Sequence, residues 1–349
     1  MSIAPIGVGL LGLGTVGTAV ARAIAEQEQH AMHRLGRPVR IAAVFERGPE
    51  RATRADLSPD LVQTDGAAVI DNPAVQIVVE VLGGEEPART LIERALRAGK
   101  PVVTANKETL AKHSGALFPL AVARRVPLLC EASVGGGIPL FAALRQMQAA
   151  NTITAFRGII NGTTNFILSA MAEHGTRYSD ALAAAQRLGY AEPDPTADVE
   201  GFDATYKACV LAYVCFGVAV APDTVARTGI TGVSAEEIAA ARASGDVIKL
   251  LAQGSYADGM ASLSVAPARV AAGSPLGATS ANYNAIEVTG DRVGPVLLIG
   301  QGAGPRPTAS AILSDIVDAA RVILGAPPEP YFVHLQGTPK ARNATASGS

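Results

Sequence analysis

Apolar and polar positions along the first 135 residues sort into short hydrophobic runs separated by amphipathic stretches. Ile6 to Leu11 is an unbroken apolar run suited to a buried strand, and Val20, Ile24 and Ala25 follow at helical spacing. Val39 to Phe45 predicts a second strand and Ile77 to Leu82 a third. Pro87 to Ala98 predicts a helix closed by Gly99, and Val102 to Thr104 another strand. A helix over Ser114 to Arg125 and a strand over Leu128 to Cys130 complete the series. Strand alternating with helix predicts an α/β fold with a doubly wound parallel sheet, whose ligands bind beyond the carboxyl ends of the strands.

From about Asn151 the rhythm changes. Ile153 to Ile160 predicts a strand, Asn161-Gly162-Thr163-Thr164-Asn165 either a polar turn presenting hydroxyls and amides to a ligand or a plain helix cap, and Phe166, Ile167, Ala170 and Met171 a helix. A helix over Ser179 to Leu188 ends at Gly189, and Tyr190-Ala191-Glu192-Pro193-Asp194-Pro195 follows as an acidic loop stiffened by two prolines. Ala208 to Pro222 is almost wholly apolar and predicts a buried helix; at roughly fifteen residues it is short of the ~20 that a membrane span needs. Lys249 to Tyr256, Ala261 to Ala266 and Asn284 to Val288 predict strands of a mixed sheet suited to pairing between subunits, and Val296 to Ile299 predicts a further strand. The glycine cluster from Gly300 to Pro305 leads into a helix ending near Gly325. The expected organisation is a dinucleotide-binding domain over 1–135, an α+β substrate and dimerisation domain over 136–300, a segment over 301–330 returning to the first domain, and a flexible tail over 331–349.

Composition narrows the class. Of 349 residues 48% are hydrophobic and 17% charged, which suits a globular chain with a sizeable core. Lys plus Arg number 29 against 31 acids, so no excess positive field is available to hold nucleic acid. Cys130, Cys209 and Cys215 sit in apolar surroundings and form no disulfide framework, which suits a reducing compartment. Met1 to Pro5 has no signal-peptide features, so cytoplasm is the expected location.

Several segments carry candidate chemistry. In Gly12-Leu13-Gly14-Thr15-Val16-Gly17 the first glycine makes the tight turn, Gly14 lets backbone approach a pyrophosphate and Gly17 permits close helix packing, a Rossmann-type arrangement. Read alone, the same spacing also serves a mere strand-to-helix turn. Glu46 ends the second strand, where such a fold places the acid for the ribose hydroxyls; a solvated loop carboxylate is the plainer reading. Lys107 follows a strand end, either reaching cofactor or substrate or simply solvated. Glu131 to Pro139 is a glycine-rich bend whose carbonyls, beside a carboxylate, suit a small hard cation; it suits a hinge equally. Asp203 and Lys207, four residues apart, share one helix face at the polar end of a buried helix. That pair is either a proton-transfer site or a structural ion pair.

Taken together, these motifs closely resemble homoserine dehydrogenase: Gly12 to Gly17, Val103-Thr104-Ala105-Asn106-Lys107, Glu131 to Pro139, Asn161 to Asn165, Leu188 to Pro195, Gly201-Phe202-Asp203-Ala204, and Gly302-Ala303-Gly304 with Pro307 to Ser310. The resemblance runs in one order to about Gly325. It implies NAD(P)-linked interconversion of L-homoserine and L-aspartate 4-semialdehyde, on the route to threonine and methionine, by a homodimer; charge and apolar run length already speak against nucleic-acid and membrane partners. It further implies that Lys207 acts in proton transfer with Asp203 as its partner, that Glu192 binds the substrate ammonium with help from Asp198, and that Thr163 and Lys107 line the same pocket. Gly12, Gly14, Thr15, Val16, Gly17, Glu46, Lys107 and Gly302 would hold the cofactor, and Glu131, Val134, Gly136 and Ile138 a sodium ion.

Two departures from the family pattern alter these expectations. Many relatives end the second strand with Arg then Asp, where this chain has Phe45-Glu46; Glu46 would repel the 2'-phosphate of NADP, so NAD is expected to be preferred, with Arg47 next door working the other way. Many bacterial relatives also carry a C-terminal regulatory domain that binds an amino acid, and this chain has the length of a short form without one. The competing readings are another semialdehyde reductase, which needs a nucleophilic cysteine such as Cys130, and a non-catalytic dinucleotide sensor, which needs no Lys207.

Overall fold

The computed structural model describes residues 4–48, 50–51, 55–326 and 340–341, so most of the expected tail over 331–349 lies outside the described residues. The described residues divide into two compact units, one holding 4–141 and 303–326, the other 142–302 and 340–341.

In the first unit β1 (Ile6–Leu11), β2 (Val39–Phe45), β3 (Val62–Gln63), β4 (Ile77–Glu80), β5 (Val102–Thr104) and β6 (Leu128–Leu129) form a six-stranded sheet in the order β3-β2-β1-β4-β5-β6. Every pairing is parallel. The apolar runs are continuous because helices cover both faces: Ile6, Val8, Leu10, Leu11, Ile77, Val78 and Val79 are all buried. Strand order reverses at β1 and β4, which opens a crevice at their carboxyl ends. β4 stops two residues short of the expected Leu82 because the Glu80 carboxylate accepts the Leu82 amide at 2.8 Å and turns the chain away. The helix expected from Ser114 instead spans Lys107–Arg124, since the Asn106 side chain accepts the Thr109 amide at 3.1 Å and caps it seven residues earlier. The helix Pro305–Ile323 packs on Thr15–Glu26, and its buried Asp315 accepts the Glu131 amide at 2.9 Å.

In the second unit β7 (Ile153–Ile159), β8 (Ala226–Arg227), β9 (Asp246–Ala257), β10 (Met260–Ala271), β11 (Tyr283–Gly290), β12 (Gly294–Gln301) and β13 (Lys340–Ala341) build a mixed sheet. Its main path, β12-β11-β7-β9-β10, is antiparallel throughout, and β8 and β13 pair parallel with β10. The helix Phe202–Phe216 lies against β9, β10 and β7, where Phe216 stacks between Phe156 and Tyr256 at ring-centre distances of 5.6 and 5.7 Å. This helix ends before the apolar run does, because Gly217 takes a left-handed φ of 71° and terminates it. Among the described residues no helix is long and apolar enough to cross a membrane.

One buried cation had no place in the sequence reading. Lys249 on β9 donates to Asn165 Oδ1 at 2.9 Å, Ser169 Oγ at 3.1 Å and the Thr279 carbonyl at 2.8 Å, tying the helix Gly162–His174 to the sheet. All three acceptors are neutral, and burial pushes the Lys249 ammonium down to about 8 against the opposing pull of Glu173. Because the folded value lies below the ordinary 10.5, the unfolded chain binds the extra proton between those two pH values, and folding gains stability as pH rises through that window. Relative to Lys249→Met, the wild type is therefore expected to gain about 3 kcal/mol of unfolding free energy between pH 7 and pH 10.5, measured by urea denaturation. A difference that stays level across that range would refute the assignment.

Candidate active site

In the second unit three chain segments bring their polar ends together. Asp203 and Lys207 stand one turn apart on the helix Phe202–Phe216, and both are buried, at 6% and 9% exposure. Lys207 Nζ donates to Asp203 Oδ2 at 2.7 Å and to the Ile160 carbonyl, just past β7, at 2.8 Å. An ammonium has three N–H groups, so two are committed and one is left for an incoming oxygen. Asn161 completes the cluster. Its Oδ1 caps the helix Gly162–His174 by accepting the Thr164 amide at 2.9 Å, while its Nδ2 donates to Asp198 Oδ1 at 2.7 Å and Asp203 Oδ2 at 2.9 Å.

Of the two readings open for Asn161 to Asn165 the structure has the helix cap, with Thr163, Thr164 and Asn165 buried in the first turn. The Thr163 hydroxyl donates to the Tyr190 carbonyl at 2.6 Å, which anchors the acidic loop. On that loop Glu192 is exposed, and its carbonyl and that of Pro193 accept from Gln186 Nε2 at 3.3 and 3.2 Å. Asp198, Asp203 and Lys207 therefore form one network, with Thr163 holding the segment that carries Glu192. Asn161 is the member that sequence reasoning missed; its signal was an Asn three residues before the amide it caps.

In the first unit the glycine turn adopts the geometry its spacing suggests. Gly12 takes a φ of 106° and donates its amide to the Phe45 carbonyl at 3.0 Å. A Cβ on Gly17 would fall 2.0 Å from the Gly12 carbonyl oxygen, so this position closes the helix onto the strand end. At Gly14 a Cβ would meet nothing within 4 Å, and Thr15 opens the helix Thr15–Glu26 beside it, with Val16 half-buried behind. With the Gly12 and Leu13 amides paired behind it, the start of this helix at Gly14 borders open space, a cradle that fits a pyrophosphate.

Glu46 is buried at 7% exposure, unlike a solvated loop carboxylate. It accepts the amides of Leu13, Arg47 and Gly48 at 3.1, 2.9 and 3.1 Å, with Arg51 Nη1 at 3.4 Å. Burial pushes this carboxyl up, but the Gly48 and Leu13 amides and the Arg51 charge outweigh it, and the group lies below the usual carboxylate range.

The two other strand ends singled out by sequence are joined in the structure. Asn106 Nδ2 and Thr109 Oγ1 donate to the Gly84 carbonyl at 2.7 and 3.0 Å, and Thr104 Oγ1 donates to the buried Glu80 at 2.6 Å. Burial raises the Glu80 carboxyl above its ordinary value against these donors. Lys107 is half-buried at the first position of its helix. Gly302 belongs to the second unit, just past β12.

Between Glu131 and Ile138 the chain makes a short 3-10 turn over Glu131–Ser133, then passes through left-handed Gly135 and Gly136 at φ 77° and 56°. Glu131, Val134, Gly136 and Ile138 are all buried, Glu131 accepts the Phe141 amide at 2.7 Å, and the Ile138 carbonyl accepts that of Leu140 at 2.7 Å. No group of three or more His, Cys, Asp or Glu among the described residues could hold a metal ion, so a cation here would be held largely by carbonyls. Cys130 is buried, and burial first, then Asp315 and Glu131, push its thiol well up, so no thiolate is at hand for thioester chemistry.

Comparison with known proteins agrees with both units. Residues 139–317 match the family profile described as homoserine dehydrogenase, and residues 12–131 that described as its NAD binding domain. The chain is 44% identical over 321 residues to homoserine dehydrogenase of Corynebacterium glutamicum, covering 90% of this chain and 72% of that one. It is 39% identical over 312 residues to the Bacillus subtilis protein of the same name, covering 89% and 72%. The crystal structure of a homoserine dehydrogenase from Thiobacillus denitrificans superposes with a TM-score of 0.91 at 40% identity, covering 97% of this chain and 80% of that one. A hyperthermophilic archaeal homoserine dehydrogenase in complex with NADPH superposes with a TM-score of 0.79 at 27% identity, covering 93% and 99%.

The two glycines separate packing from ligand binding. Gly17→Ala is expected to lose about 1–3 kcal/mol of stability through overpacking. Gly14→Ala is expected to stay within about 0.5 kcal/mol of wild type and to weaken dinucleotide binding. Chemical denaturation and calorimetric titration of NADH test both, and equal destabilisation by the two substitutions would contradict the geometry.

Proposed function

The chain belongs to the homoserine dehydrogenase family, NAD(P)-dependent oxidoreductases, and from this premise we propose that Lys207 is the proton-transfer group of its reaction. The bound nicotinamide supplies or takes the hydride at C4 of the substrate. The protein's own part is to hold an ammonium against the oxygen where negative charge develops, and to deliver a proton there as L-aspartate 4-semialdehyde becomes L-homoserine. The observation that carries this reading is the burial of Lys207 with two of its N–H groups directed by Asp203 and the Ile160 carbonyl, which fixes the direction of the third.

Asp203 stabilises the charged lysine, and Asn161 holds Asp203 and Asp198 in one orientation. Glu192 and Asp198 supply the negative charge that receives the substrate ammonium, and Thr163 anchors the loop bearing Glu192. Lys107 is proposed to contribute positive charge to the same substrate and cofactor. Lys207→Met is expected to cut kcat by a factor of about 10²–10⁴ while NADH still binds, in a steady-state assay with calorimetric titration. Glu192→Gln and Asp198→Asn are expected chiefly to raise the homoserine KM, by about tenfold or more. Undiminished turnover by Lys207→Met would overturn the assignment.

The cofactor is proposed to rest on Gly12, Gly14, Thr15, Val16 and Gly17, with Glu46 at the ribose and Gly302 as a further contact. The open space at Gly14 supports the fit. A buried carboxylate at Glu46 is matched to a ribose diol and opposed to a 2'-phosphate, so NAD is proposed as the preferred cofactor even though an archaeal relative was solved with NADPH. Comparing kcat/KM for NAD and NADP tests this, with Glu46→Ala expected to narrow the difference; a strong NADP preference in the wild type would refute it.

A sodium ion is proposed at the carbonyls of Val134, Gly136 and Ile138 with Glu131, where it would brace the bend. A homodimer through the second sheet and a cytoplasmic location belong to the same proposal. Exposed Tyr283 and Ile299 on neighbouring β11 and β12 support the first, and three buried free cysteines the second.

A further inference from the structure

Lys249 is a buried cation that the proposed reaction does not use. It is 3% exposed, and its three N–H groups are all taken, by Asn165 Oδ1, Ser169 Oγ and the Thr279 carbonyl. Lys207 keeps one N–H for an incoming oxygen, whereas Lys249 keeps none and so has no proton to offer a substrate. Its role follows from the segments to which those acceptors belong.

Asn165 and Ser169 stand one turn apart on one face of the helix Gly162–His174, and Thr279 closes the short helix Pro275–Ala278 that precedes β11. Asn165 Nδ2 adds donations to the Thr279 and Tyr283 carbonyls at 3.3 and 3.1 Å. A Cβ on Gly162 would fall 2.8 Å from the Asn282 carbonyl oxygen, so the first turn of the helix is pressed against the segment 279–283. Lys249, reaching out from β9, joins the two.

The same first turn serves the candidate active site. Asn161, whose carbonyl accepts the Asn165 amide at 3.2 Å, holds Asp198 and Asp203. Thr163 holds the Tyr190 carbonyl, and the Phe166 ring meets that of Tyr190 at a centre distance of 5.0 Å. The loop that carries Glu192 is thus hung on a turn whose own position Lys249 fixes.

We propose that Lys249 is a positioning residue for the substrate, setting the places of Glu192 and Asp198 through the first turn of the helix Gly162–His174. The inference rests on those two acids receiving the substrate ammonium. Methionine has nearly the length of lysine but no donor, so Lys249→Met leaves three buried oxygens without the group they share, and the turn moves as they find other partners.

Steady-state kinetics with L-homoserine test this. Lys249→Met is expected to raise the homoserine KM by about tenfold, in line with loss of buried hydrogen bonds to a charged group. Its kcat is expected to fall by less than about threefold, because Asp203 and the Ile160 carbonyl, which direct Lys207, lie off this helix, and NADH binding by calorimetric titration is expected to stay at the wild-type value. Ser169→Ala removes one of the three contacts at a helix position that favours alanine, so it stays folded, and it is expected to raise KM by about threefold. Glu192→Gln is expected to raise KM less in the Lys249→Met background than in wild type, since a displaced carboxylate has less to lose.

A lysine that only stabilises the fold would leave KM unchanged in both variants, or let the effects of Lys249→Met and Glu192→Gln multiply in full; either result overturns the proposal while a raised KM in Glu192→Gln keeps the ammonium reading. Should Lys249→Met not fold, KM in Ser169→Ala decides. If Glu192→Gln alone leaves KM unchanged, the ammonium reading and the proposal fall together.

Discussion

An ammonium and a carboxylate taken out of water are tolerable only where other polar groups finish what the pair begins, and the second unit is arranged around meeting that condition for Lys207 and Asp203. Two charges at 2.7 Å attract strongly in a dry setting, yet desolvation offsets much of that gain. The balance is met by the Ile160 carbonyl at the end of β7 and by Asn161 at the start of the next helix, so three elements must end at one place for the pair to be buried at all. The apolar length of the helix Phe202–Phe216, with Phe216 stacked between Phe156 and Tyr256, fixes the register that brings Lys207 to that place. Removing either charge leaves the other stranded, so stability and the proposed chemistry draw on the same contacts.

The first unit follows the opposite logic. Around Gly14 the helix start borders open space, and the close contacts lie behind it, at Gly17 against Gly12 and at Glu46 against the amides of Leu13, Arg47 and Gly48. A rigid back and an open front suit a site whose ligand brings its own negative charge to a helix start. Glu46 belongs to both: its hydrogen bonds shape the turn, and its charge is the ground for the proposed preference for NAD.

The strands and the glycine turn were legible because period and spacing are local properties. Ile6 to Leu11 reads as buried from its own composition, and Asp203 and Lys207 share a face because four residues make about one turn. Less was visible where a side chain decides a boundary. Asn106 begins its helix at Lys107, and Asn161 decides between an open turn and a buried helix start, each through one capping bond whose partner only the fold confirms. Gly217 stops a helix that apolar content alone would carry on to Pro222.

From the chain alone came the two-part α/β organisation, the glycine turn from strand to helix and the pairing of one acid with one lysine, since each depends on residues close in sequence. Only the tertiary structure decided which polar groups lose water together. Lys249 among neutral acceptors and Asn161 between two acids depend on segments tens of residues apart, and desolvation is a property of the assembled surroundings that no local pattern encodes.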